Sequence, residues 1–317
     1  MWRAVLIWVL LAVPAGAETP ARVQDAFQGW RDERDGNGAL ASWRGGAEVA
    51  VTGHGLDPTA RHEMASLSKA ITATCAMALV DEGRWTPETR AADVLGSDDG
   101  VGDVALGALI THTAGLWPDA TQGLRESLLP LARSRAPRRG AQALERGVDA
   151  TRDGAYWYSN ENYAVLGDMI AAETGQSYED ACRSRVLAPA GVDVAPSEQV
   201  GPMLAWGGWT LTVSDYAAFH HYWYAASGRD PLAGPRHAFV GAGYFYGAGL
   251  CVRPWRQSQN VWHFGGHCFP AQLNSGSFAA SYARDWAVVL VHDLCLEWDD
   301  MLALDQVLVA ALFGAGE

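Results

Sequence analysis

Apolar positions recur at helical spacing over 19–32, where Val23, Phe27 and Trp30 share one face, and charge with glycine over 32–38 ends the pattern. Alternation then takes over. Residues 40–52 read as two strands joined at Gly45-Gly46, with Val49 and Val51 turned inward. The stretch 70–80 is apolar on every side, so the helix expected over 66–81, stopped at Gly83, should be buried. From Thr86 to about Pro202 short helical segments (106–109, 121–132, 142–146, 162–174 and 178–186) are separated by glycine and proline. A further helix is expected over 215–221, with Ser214 as its cap. Aromatic and β-branched runs of strand length follow at 239–250, 262–265, 275–282 and 286–292. The last element reads as a helix over 297–313, apolar at Met301, Leu304, Leu308 and Ala311. Strands and helices at both ends of the chain, with helices between, imply an α+β fold in which the termini meet. The expected division is a discontinuous α/β lobe, 18–85 with 203–317, and an inserted helical lobe, 86–202.

Composition adds a compartment and removes some partners. Residues 1–17 have the plan of a secretory signal peptide: Arg3, an apolar core over 4–13, and the small-x-small ending Ala15-Gly16-Ala17. Export to the periplasm or beyond is therefore expected, with no stable membrane span once the segment is removed. A formal charge of −13 disfavours nucleic acid and anionic membrane as partners. Five cysteines are too few for a disulfide scaffold and match no zinc spacing; Cys251 with Cys268 is the expected pair if one forms. No metal or cofactor is expected. The run 133–146 carries five arginines together with Pro137 and Gly140 and reads as a solvent-facing loop.

The chemistry concentrates at Ser66-Leu67-Ser68-Lys69. Of the 23 basic residues 22 are arginine, so Lys69 is the only lysine, and it lies one helical turn from Ser66. Arginine cannot be deprotonated, whereas a desolvated lysine can serve as a base. Taken singly, the S-x-x-K spacing has little specificity; Ser66 could cap a helix and Lys69 could snorkel to water. Tyr158-Ser159-Asn160 follows, a hydroxyl able to relay a proton and an amide able to hold a substrate carbonyl. His263-Phe264-Gly265-Gly266 comes third. As a strand it places His263 and Gly265 on one face, glycine allowing a ligand backbone to come close. His112 and Thr113 read as loop supports, and His267 as a possible extra donor. Six aromatics, Trp157, Trp206, Trp209, Tyr244, Tyr246 and Trp262, fall in stretches suited to a cleft rim, half or more of them core.

In order, Ser66-x-x-Lys69, Tyr158-x-Asn160 and His263-x-Gly265 resemble the motifs of the serine β-lactamase and penicillin-binding-protein superfamily. The class C β-lactamase, D,D-carboxypeptidase and esterase branch is the most similar. Stretches 109–116 and 207–215 share the likeness, which runs from about Gly45 to His292. The resemblance implies a β-lactamase/transpeptidase-like fold, Ser66 as acylated nucleophile and Lys69 as its base. It also implies Tyr158 in the proton relay, Asn160 orienting the substrate, and an oxyanion hole from the Ser66 and Gly266 N–H groups. His263 stands where most members carry a lysine that positions a substrate carboxylate. That departure moves the expectation from a β-lactamase toward a peptidase, amidase or esterase acting on a small molecule or a peptidoglycan-like peptide, such as a D-Ala-D-Ala type. A β-lactamase and a catalytically inactive binding protein of the same fold are the alternatives. A metallohydrolase using His62 or His112 has the least support.

Overall fold

A computed structural model describes residues 15–96, 103–122, 128–226, 229–232 and 237–314. Most of the signal-peptide segment and part of the helix expected over 121–132 lie outside these residues. In chain order the elements are α1 (Ala15–Asp32), β1 (Gly38–Arg44), β2 (Ala47–His54), β3 (His62–Glu63), α2 (Ser68–Asp81), α3 (Ala91–Leu95) and α4 (Leu106–Ile110). Then come α5 (Leu129–Arg135), α6 (Arg139–Arg146), α7 (Asn160–Thr174), α8 (Tyr178–Cys182), β4 (Ala195–Pro196), β5 (Trp209–Leu211) and α9 (Val213–His221). The chain closes with β6 (Ala238–Gly241), β7 (Tyr244–Gly247), β8 (Leu250–Trp255), β9 (Ser258–Phe269), β10 (Leu273–Tyr282), β11 (Trp286–His292) and α10 (Trp298–Phe313). The fold is α+β.

An antiparallel sheet in the order β2-β1-β11-β10-β9-β8-β7-β6 carries both chain ends, because the N-terminal hairpin adds to the last strand with Gly38 opposite His292. Period-two alternation splits its side chains between two cores. Leu40, Phe278, Val288 and Leu290 meet α1 and α10, where Val23, Phe27, Leu304 and Leu308 are fully buried. Ala41, Ala279, Val289 and Val291 face the larger core built on α2, α9 and the helices of the middle segment. Every residue of β11 is buried, which explains its unbroken apolar run.

Several local expectations change. Val49 and Val51 are 42% and 40% exposed, because β2 is the sheet edge and the hairpin buries its β1 side. Helix α9 starts at Val213, capped by the Thr212 hydroxyl, which accepts from Asp215 N at 2.9 Å, so Ser214 is not the cap. The arginine-rich run 133–146 is mostly helical rather than a loop: α5 and α6 flank a short 3-10 turn over Ala136–Arg138. Cys268 pairs with Cys295 (Cα–Cα 5.5 Å), and Cys251 is a buried free thiol. The expected Cys251–Cys268 bridge fails on register. Cys251 lies opposite Trp262, so Cys268 is six residues farther along β9, roughly 20 Å at strand rise.

Candidate active site

Helix α2 is buried on nearly all sides, as its apolar sequence implies, and Lys69 in its first turn is 0% exposed. Ser66 sits just before it in a 3-10 turn over Ala65–Leu67, entered through Ala65 at φ +44°, a left-handed conformation unfavourable for alanine. The turn is held from outside. Met64 N donates to Trp209 O at 2.9 Å, the Ser277 hydroxyl to Met64 O at 2.7 Å, and Trp209 N to the Ser68 hydroxyl at 3.2 Å.

The Lys69 ammonium lies 3.0 Å from Ser66 Oγ and 2.8 Å from the Trp206 carbonyl, and 5.0 Å above the Tyr158 ring. Burial lowers its pKa from 10.5 to about 7, against the opposing field of Asp119. Burial pushes the Tyr158 phenol well above its usual value, only partly offset by a hydrogen bond with Ser66. Lys69 can therefore be neutral near pH 7 while Tyr158 stays protonated. A base and an acid stand on either side of one hydroxyl.

Asn160 is the first residue of α7, whose cap is the Ser159 hydroxyl. Its Nδ2 donates to Thr121 Oγ1 at 2.8 Å and its backbone N–H to Asp119 Oδ2 at 2.9 Å. Its Oδ1 is buried without a partner among the described residues. That oxygen is an acceptor suited to a substrate N–H, and one of the two Nδ2 hydrogens is taken by Thr121.

His263 and Gly265 share a face of β9, as the sequence suggested. The His263 Nδ1 faces Phe264 O at 2.5 Å and must donate, so Nε2 accepts from the Tyr246 hydroxyl at 3.1 Å. Burial and the nearby Lys69 hold its pKa down at about 3, so it is a neutral ring occupied by internal bonds. At Gly265 the close neighbours are Ser277 and the turn that carries Ser66. A Cβ there would lie 2.6 Å from Met64 O and 2.8 Å from Ser66 N. Gly266 faces open space and lines the cleft.

Three groups that the motifs did not identify complete the centre. His112, fully buried, accepts at Nδ1 from Ser159 N (3.2 Å) and Asn162 Nδ2 (3.0 Å), and its ring lies 4.4 Å from that of Tyr158. Burial, with Lys69 and His263 nearby, keeps it neutral. Asp119, 5% exposed, holds the Asn160 and Thr121 N–H groups. Tyr246 hydrogen-bonds His263 behind Tyr158. The sequence had marked His112, as a loop support within 109–116, and Tyr246, as a rim aromatic, but not Asp119. His267 is buried with Nε2 at 2.7 Å from Gly207 O. His62 contacts Asp57 O, and no three His, Cys, Asp or Glu side chains converge as metal ligands among the described residues.

Two cavities open on Ser66. One, about 400 Å³, is polar and includes Asn160, Arg139, His267, Gly266 and Glu297. The other, about 450 Å³, includes Tyr158, Tyr244, Tyr246, Phe264 and Trp298. Of the six rim aromatics, Trp206, Tyr244 and Tyr246 line these cavities. Trp209 is core, Trp262 lines a separate cavity beneath α10, and Trp157 stacks on Arg152 at 3.7 Å.

The chain belongs to the beta-lactamase family, a family of serine hydrolases, whose profile matches residues 23–294. Penicillin-binding protein 4 of Amycolatopsis lactamdurans is 32% identical over 160 residues, covering 46% of this chain and only 37% of that protein's length. The class C β-lactamase of Rhodobacter sphaeroides superposes with TM-score 0.71 at 16% identity, covering 91% of this chain and 98% of that one. The D-amino acid amidase of Ochrobactrum anthropi SV3, complexed with L-phenylalanine amide, superposes with TM-score 0.72 at 18% identity, covering 93% and 100%. These two likenesses are of fold.

Proposed function

We propose that this protein is an exported serine hydrolase that opens amides or carboxylic esters through an acyl-enzyme on Ser66. The 3.0 Å contact between Ser66 Oγ and a lysine whose pKa is lowered to about 7 carries this reading. Neutral Lys69 takes the Ser66 proton as Oγ bonds to the acyl carbon. The Ser66 and Gly266 N–H groups receive the developing oxyanion. The bond to the leaving oxygen or nitrogen then breaks, and that atom leaves with the Tyr158 proton, which Lys69 replaces. Water cleaves the ester of Ser66 by the same relay in reverse, restoring the serine. Asn160 Oδ1 would accept from an N–H on the acyl portion.

Neutral esters and amides suit the cleft better than a D-Ala-D-Ala-type peptide, whose leaving group carries a carboxylate, because His263 is neutral and internally bonded. Hydrolysis of β-lactams is the second reading, favoured by the structural likeness to a class C β-lactamase. The test is turnover of an activated ester, an amino acid amide, a D-Ala-D-Ala peptide and a β-lactam by wild type and S66A. The expected result is Ser66-dependent turnover led by the ester or amide. An S66A protein as fast as wild type would sink the proposal, and failure of every substrate would favour a binding protein.

A further inference from the structure

The two cavities at Ser66 differ in which catalytic side chain they contain. Tyr158 lines the aromatic chamber and is absent from the polar one; Asn160 lines the polar chamber and is absent from the aromatic one. A group that protonates the departing atom must stand on that atom's side of the scissile bond, so the chamber holding Tyr158 receives the leaving group.

We infer that this leaving-group chamber is built for an uncharged aromatic or apolar alcohol or amine, and that it selects against leaving groups bearing a carboxylate. The inference rests on the acyl-enzyme reading above and names the substrate class within it. The chamber walls are Tyr156, Tyr244, Tyr246, Phe264, Trp298 and Met301. Phe264 and Trp298 meet edge to face at 4.9 Å, leaving the Trp298 side chain 48% exposed at the mouth. Such walls favour a planar apolar group entering against them. Burial raises the pKa of the Tyr156, Tyr158, Tyr244 and Tyr246 phenols, so all four are neutral. Neutral His263 offers no charge either. The one acidic side chain lining it is Glu297, at the N-terminal end of α10 where the chamber borders the polar one, and a carboxylate there repels another. Lys69 lies beyond the Tyr158 ring with its Nζ bonded to Ser66 and Trp206, so it does not offer a counter-charge at the mouth.

The test uses three acetate esters with one acyl group and nearly equal leaving alcohols: benzyl, 4-carboxybenzyl and 4-(trimethylammonio)benzyl acetate. Expected is a kcat/KM for the benzyl ester at least about tenfold above the carboxybenzyl ester, with the cationic ester not below the benzyl ester. E297Q should narrow the first gap, and W298A should lower the benzyl-to-ethyl acetate ratio by about tenfold. Equal or better use of the carboxybenzyl ester overturns the inference while leaving the acyl-enzyme reading intact. So does a W298A effect on methyl phenylacetate, where the ring is on the acyl side, in place of benzyl acetate. No turnover of any ester, with no acyl group on Ser66, overturns both.

Discussion

Lys69 sets the pH behaviour of the site. With its pKa lowered to about 7, kcat/KM should rise with pH through that value and fall about tenfold per unit below pH 6. Its effect on stability has the same sign but falls in a higher pH window. Between 10.5 and about 7 the unfolded chain binds a proton the folded one does not, so stability falls as pH drops through that window and the loss is constant below it. K69M should therefore be inactive yet more stable at pH 6 by at most roughly 5 kcal/mol, measured by urea unfolding. A K69M protein less stable than wild type at pH 6 would contradict the assignment. His112 acts through its neighbours, receiving the Ser159 and Asn162 donors beside Tyr158. H112A should lower kcat by about 100-fold with KM nearly unchanged; a KM effect alone would assign it to binding. That Ser66, Lys69, Tyr158 and Asn160 come together was legible because the superfamily pattern depends on residue types at short spacing. Asp119 and the contacts that His112 and Tyr246 make there were not, because these residues reach the centre from separate segments, and nothing in local spacing reports a hydrogen bond across them.

At the scale of elements, β9 holds the Ser66 turn against α2, and adjacent glycines have different surroundings. G265A drives a methyl into Met64 O and Ser66 N, so it should destabilise by about 1–3 kcal/mol and displace Ser66, whereas G266A meets no atom within 4 Å. Comparing their melting temperatures checks this; equal values would contradict the close approach. Helix α7 depends on Arg146 of α6, which grips the fully buried Glu161 carboxylate through two nitrogens. Removing that partner in R146A should cost about 3 kcal/mol by chemical denaturation. Alkylation with iodoacetamide after unfolding should modify Cys75, Cys182 and Cys251 without reductant, and Cys268 and Cys295 only with it. Helix and strand positions were largely readable from periodicity. Cysteine pairing was not, since it depends on register between β8 and β9, and the exposure of Val49 and Val51 depends on β2 being an edge.

Across the whole molecule, closing the sheet with strands from both chain ends fixes Ser66 where β9, α2 and α7 converge, with a cavity on either side. The α+β class and the meeting of the termini followed from the order of patterns along the chain. The two-chamber cleft did not, because its walls come from segments as distant as Tyr156 and Met301. Among the described residues no helix is long and apolar enough to cross a membrane. The central claim is a covalent acyl group on one hydroxyl. Intact mass spectrometry with peptide mapping after treatment with an aryl phosphonate ester tests it most directly. One adduct per chain, located on Ser66, lost in S66A and formed more slowly below pH 6, is the result expected. An adduct elsewhere, or none in the wild-type protein, would contradict the account.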